Sequence, residues 1–398
     1  MRTTLPIDFG LGIGAFVWLL VVVGHLNVAA PDMVYFWGAA ALLKRGANPY
    51  EMGLIQELAT INLPQIGRLT GGFFNPPHTL IFISWLAEFN FRWATVLWKI
   101  LSIFLILVSL RVFCRRYANL LGKQKTLKDG LWIGIYLGSF APVLVLLNIG
   151  QISAVSVAGV CFYLAWRDGS LLERAGAGVA ISLATIKPHL VLLPLMLIAF
   201  DLVRWRRRSI PTFAAFISVA AIVPSLLYPA SFQQWWFAQN VVPLTWFQPT
   251  LSGWLLATLG PDILALRFLP IVFASAFVVW LARRDFNLEN KDSGTLYPFL
   301  VALPLGLFAA PYAWLYDFVV ALPTGLALFL ISTSARGKNN LARFNLALLF
   351  GANILMMYGP AEMQYYVWYP PLLTVQFLFA MRLSCWTGPS VSGHGEVG

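Results

Sequence analysis

Three ionisable residues stand where so apolar a chain has little reason to place them. Asp32 follows the first hydrophobic run directly, Lys187 breaks a later run at Lys187-Pro188-His189, and Asp317 closes the stretch Pro311-Tyr312-Ala313-Trp314-Leu315-Tyr316-Asp317. Charges within or beside membrane spans are costly and usually serve function. A lone acid at a bilayer surface is a candidate general base; as the residue before a helix it is equally a candidate N-cap. Lysine can hold a phosphate as a point charge, and the alternative for Lys187 is an ion pair with Asp317 that holds the bundle together. Asn75, Gln151 and Tyr316 bring further polar groups to the same membrane face. With Tyr35 and His78 they make up the candidate substrate-binding set: Tyr35, Asn75, His78, Gln151, Lys187, Tyr316 and Asp317, around Asp32 as the catalytic residue.

The elements that must position these groups follow from hydropathy. Residues 9–29 form a first span, with His25 on it, and lack the small-residue cleavage signature of a signal peptide. The chain then enters its longest internal segment without a span, 30–75. Tyr35, Phe36, Ala39, Leu42 and Leu43 recur there at helical spacing, and Gly46 and Asn48-Pro49 stop the run. Such a helix lies in the interface and does not cross it, and a second short helix is expected near Glu51–Ile61. The segment ends in Gly71-Gly72-Phe73-Phe74-Asn75-Pro76-Pro77-His78. Residues 76–89 are apolar but short of the roughly twenty residues a span needs, so a half-helix is expected. Further spans are expected at 93–113, 129–147, 152–166, 176–187, 190–203, 210–228, 262–282, 294–310, 318–333, 341–358 and 366–382. An aromatic loop at 229–250 carries Trp235-Trp236-Phe237 and Trp246-Phe247, side chains suited to the headgroup level. Basic residues collect between spans, at 115–128 (Lys123, Lys125 and Lys128 among them), at 204–208 and near Arg336 and Lys338. That bias puts these loops and both termini in the cytoplasm and the polar set outside, on an all-α polytopic bundle of about twelve spans. One domain over 1–383 and a Gly/Ser-rich tail over 384–398 complete the expected organisation.

Composition supports the class. Hydrophobic residues make up 59% and charged residues 11%, and mean hydropathy is +0.75. A soluble domain carries about 25% charged residues. The net charge of +11 is explained by loop asymmetry, so no nucleic-acid partner is expected. Cys114, Cys161 and Cys385 are too far apart for a disulfide framework or a metal site. The chain has no Walker loop, no Ser-His-Asp arrangement and no nucleotide-sugar domain. An outward carboxylate, a membrane-embedded lysine and interfacial aromatics fit a lipid-phosphate substrate. A lipid flippase or transporter is the competing reading, because broken helices and buried charges also serve transport.

The chain resembles the integral-membrane GT-C glycosyltransferases and, among them, glycosyltransferase family 87. The resemblance is carried by Asp32 with Tyr35 and Asn48-Pro49-Tyr50, by Phe74-Asn75-Pro76-Pro77, by Gly150-Gln151 and Lys187-Pro188, and by residues 310–317. These pieces occur in family order over about 30–325. The resemblance implies a multi-span helical fold and a polyprenyl-phosphate-sugar donor with a mannose-like hexose. It further implies a lipid or glycan acceptor, inversion at the anomeric carbon, and Asp32 as the catalytic acid of the first extracytoplasmic loop. It places the enzyme in a plasma membrane of bacterial type. Two departures stand out. Tyr316 occupies the position where some relatives carry a histidine, followed here by Asp317. The first loop offers a single carboxylate where many GT-C enzymes have an adjacent pair, so neither a metal nor another cofactor is expected.

Overall fold

The computed structural model describes residues 5–24, 30–63, 67, 69–121, 126–204, 206–239, 248–260, 263, 265–285, 291–335, 340–359 and 363–386. His25, Lys123, Lys125, Trp246, Phe247, Arg336, Lys338 and residues 387–398 lie outside them, as do the side chains of 204–208 and Cys385.

Among the described residues all regular structure is helical. The chain runs through α1 (Leu5–Gly24), the short α2 (Met33–Lys44) and α3 (Met52–Asn62), then α4 (Thr79–Glu88) and the long α5 (Phe91–Arg116). It continues through α6 (Leu127–Gly138), α7 (Ala141–Ile149), α8 (Ser153–Trp166), α9 (Leu171–Ala184) and α10 (Leu192–Arg204). Then come α11 (Ser209–Leu227), α12 (Ser231–Gln239), α13 (Leu251–Leu259), α14 (Ala265–Asp285) and α15 (Lys291–Ala309). The last three are α16 (Leu315–Ser334), α17 (Asn340–Tyr358) and α18 (Tyr369–Trp386).

Among the described residues, six helices are long and apolar enough to cross a membrane: α1, α5, α11, α14, α16 and α17. The pair α6–α7, bent by 49°, makes a seventh if taken as one span. The expected count of about twelve crossings also included further apolar helices, α8 and α10 among them, which are shorter than these six. A short or broken helix at membrane depth can find partners for its freed backbone groups within the protein. α8 is buried along nearly its whole length. α4 is half α-helix and half 3-10 helix over ten residues, too short to cross, and it packs on α2. α1 already begins at Leu5, ahead of the expected residue 9, and α18 runs to Trp386, into the expected tail.

Glycines set a close helix contact. α1 lies along α6, with Gly10 and Gly14 on one side and Gly130, Gly134 and Gly138 on the other. A methyl group on Gly10 would stand 2.6 Å from the Gly130 carbonyl oxygen. Apolar side chains gain little by leaving lipid, so helices in membranes associate through small residues that admit close backbone approach. Trp18 fixes the register by donating its indole N–H to the Leu137 carbonyl at 3.1 Å.

The buried side chains form two cores. The larger belongs to the bundle and includes Tyr136, Phe140, Tyr163, Phe318 and Tyr369. The smaller gathers α2, α3, α4 and the start of α5 around Met33, Phe36, Ile55, Phe73 and Trp98. These elements thus form a packed cap with its own core.

Candidate active site

A cavity of ≈ 460 Å³ lies at the seam between the two cores. Phe36 and Ile186 of the cap core and Tyr316 of the bundle core all line it. Sites at such seams are common because two rigid bodies leave a concave gap where they meet.

Asp32 stands on its wall at the start of α2. Its side chain makes no cap hydrogen bond to that helix, so the N-cap alternative is not realised. Gln151 donates its side-chain N–H to Asp32 Oδ2 at 2.7 Å, and Asp32 N–H donates to the Ile149 carbonyl at 3.2 Å. Gln151 sits in the turn between α7 and α8, and that turn requires Gly150. Gly150 has φ +76°, and an added methyl would lie 3.0 Å from Cβ of both Ala30 and Met33. A tight turn in the bundle thereby fixes the loop that carries Asp32. Gln151 is held in turn, its Oε1 accepting from Ile152 N–H and its carbonyl from Trp98 Nε1. Burial raises the Asp32 carboxyl above the ordinary aspartate range; the Gln151 hydrogen bond and the charge of Lys187 oppose that shift in part.

Lys187 follows α9 at the break before α10, where Pro188 interrupts the helix. It pairs with Asp317, Nζ to Oδ1 at 2.8 Å, and both side chains are buried. Of the two alternatives for Lys187, the structure contains the ion pair. Asp317 also accepts from Ser153 Oγ at 2.5 Å and from Trp314 N–H at 3.0 Å. The lysine nitrogen lies 4.7 Å over the Tyr316 ring. One carboxylate therefore ties α8, the α9–α10 break and the start of α16 to one point.

Tyr35, one turn beyond Asp32, accepts the Gly71 N–H at 2.9 Å and pins the glycine loop over the cavity. Asn75 donates to the Ile186 carbonyl at 3.1 Å, beside Lys187. Asp32, Tyr35, Asn75, Gln151, Lys187, Tyr316 and Asp317 all line the cavity. His78 does not. It is buried behind the loop, with Nε2 3.3 Å from Thr185 Oγ1, and burial lowers its pKa to about 4. The imidazole there contacts Thr185, and His78 stands apart from the cavity lining that the other expected site residues share.

Sequence reasoning missed three lining features. Trp235 and Gln239 of α12 both donate to the Phe74 carbonyl, at 3.0 and 2.9 Å, and so close one side of the cavity. His189 stacks on Tyr312, with ring centroids 3.9 Å apart. Arg267, in the first turn of α14, also reaches the wall. A lone charge at the start of an apolar run was the available signal for it.

The arrangement offers a part-buried carboxylate, oriented by an amide, at the wall of an aromatic cavity. That set can take a proton from a hydroxyl and hold a sugar ring against aromatic faces. No curated protein and no solved structure matches the chain. The family model for glycosyltransferase family 87 matches residues 73–358, which includes the loop at Asn75, the Gly150 turn, the Lys187 break and the Asp317 turn, and leaves Asp32 outside. The match covers well over half of the sequence, and the chain belongs to glycosyltransferase family 87.

Proposed function

We propose that the protein transfers a mannose-like hexose from a polyprenyl-phosphate donor to a lipid or glycan acceptor on the extracytoplasmic face of a bacterial-type plasma membrane, with Asp32 as general base. The observation that supports this best is the Asp32 carboxylate, held by Gln151 and not by its own helix, on the wall of an aromatic cavity between cap and bundle. The acceptor oxygen attacks the anomeric carbon and its proton passes to Asp32. The bond from that carbon to the phosphate oxygen breaks, and polyprenyl phosphate leaves with the electron pair. A single displacement inverts the anomeric centre. Phe74, Trp235, Tyr312 and Trp314 supply apolar faces for the sugar ring and the lipid.

Purified protein given radiolabelled polyprenyl-phosphate sugar and an acceptor lipid is expected to move label to the acceptor. Intact lipid crossing liposomes with no transfer would replace this reading with the flippase.

The reading also fixes a pH dependence. Asp32 accepts a proton only when ionised, and burial raises its pKa. The transfer rate should fall on the acid side at a pH above that of an exposed aspartate. Gln151→Leu removes an interaction that lowers the pKa, so the acid limb should move further up. The same shift has a sign for stability. A carboxyl with a raised folded-state pKa opposes folding once ionised, so its contribution is lost as pH rises through that pKa. A pH–rate profile of wild type and Gln151→Leu with superimposable acid limbs would contradict the assignment.

A further inference from the structure

Helix α12 is built inside out. At about 100° per residue, Phe232, Gln233, Trp236 and Phe237 share one face, and Ser231, Gln234, Trp235, Ala238 and Gln239 share the other. The aromatic face is exposed, Trp236 at 66% and Phe237 at 58%, and the more polar face turns into the protein. A helix resting on a protein in water has the opposite pattern. Its place in the chain explains the inversion. α11 is long and apolar enough to cross a membrane, and only Tyr228, Pro229 and Ala230 separate its end from α12. Fully extended, that linker would reach about 10 Å. It turns instead, the Ser231 N–H donating to the Tyr228 carbonyl at 2.9 Å. α12 therefore lies where that span leaves the bilayer, a depth that suits tryptophan and phenylalanine on an amphipathic helix.

The inward face closes the cavity and is held there weakly. Trp235 Nε1 and Gln239 Nε2 donate to a single acceptor, the Phe74 carbonyl, and all three residues line the cavity. Against that latch, the Ser231 hydroxyl and Gln234 Oε1 are buried with no hydrogen-bond partner among the described residues, which costs stability. We propose that α12 is a lid seated in the bilayer. Phe232, Trp236 and Phe237 hold it among the lipids, and release of Trp235 and Gln239 from the Phe74 carbonyl opens the cavity sideways, so that the tail of a lipid substrate enters directly from the membrane. Drawing a polyprenyl tail through water would expose every one of its methylenes. A lid at lipid depth spares that exposure, because it opens to the phase the tail already occupies. The seat is independent of the polyprenyl-phosphate reading; the route of the tail rests on it.

Two measurements in proteoliposomes test the parts separately. A nitroxide on Phe237→Cys, in a Cys385→Ser background that leaves only the buried Cys114 and Cys161, reports the seat. Dissolved oxygen should relax the label and a water-soluble nickel chelate should not; full access by the chelate overturns the seat. The pair Phe74→Cys/Gln239→Cys in the same background, bridged by a bifunctional methanethiosulfonate, reports the lid. Bridged protein should neither take up polyprenyl phosphate added afterwards nor release that bound before, and reductant should restore both. Trp235→Phe/Gln239→Leu removes the latch donors and should speed uptake roughly tenfold. Uptake that is unchanged by the bridge, or unchanged in the latch variant, overturns the lid. Wild-type protein that takes up no polyprenyl phosphate overturns the donor reading and the route of the tail with it, and the nitroxide still decides the seat.

Discussion

Asp32→Asn is expected to lower sugar transfer by about two to four orders of magnitude, the usual cost of losing a general base. Expression and donor binding should stay near wild type. The substitution keeps the size of the side chain and its capacity to meet Gln151, because the Gln151 N–H can donate to an amide oxygen as it does to the carboxylate. The helix does not depend on the residue as a cap, since Asp32 makes no cap hydrogen bond to α2. What the amide lacks is the ability to take a proton. The measurement is single-turnover transfer of labelled sugar with donor binding checked separately. Near-normal turnover in Asp32→Asn would remove the base and leave lipid movement as the better account.

The second large effect falls on stability. Lys187→Met should destabilise the protein by about 3–5 kcal/mol, the typical cost of leaving a buried charge without its partner. Asp317 keeps only the Ser153 hydroxyl and the Trp314 N–H, with its side chain 1% exposed. Removing both charges in Lys187→Met/Asp317→Leu should recover a large part of the loss, because the orphaned carboxylate is then gone. Thermal unfolding in detergent, followed for both variants, checks this. If Lys187→Met melts with the wild type and loses only donor binding, the pair is not structural and the lysine acts on the substrate.

Much of this was legible in the residues. Apolar runs and punctuation by Gly46 and Asn48-Pro49 placed α2, since Tyr35, Phe36, Ala39 and Leu42 recur at the helical period. The convergence of Asp32, Gln151, Lys187 and Asp317 was visible because polar groups in an apolar chain must find each other or water. Three matters were not legible. Hydropathy measures length and apolarity, so it could not show that α8 is short and buried by its neighbours. Nor could it show that His78 turns behind the loop toward Thr185. Arg267 was hidden by its run, because one charge barely changes the mean of an apolar window.

The glycine contact between α1 and α6 has a consequence for biogenesis. α1 is synthesised well over a hundred residues before its partner, which at ribosomal rates of about 5–20 residues per second is a delay on the order of ten seconds. Throughout that interval the bare backbone face around Gly10 and Gly14 is open to lipid and to any other helix with small residues. A side chain there would have discouraged wrong partners, but none fits the finished structure: a methyl on Gly10 would meet Gly130 and Ile133 at 2.6 Å. The tight joint that aligns the bundle is therefore also the surface that an insertion chaperone, or α1 held in a protected site until α6 emerges, must keep apart from strangers.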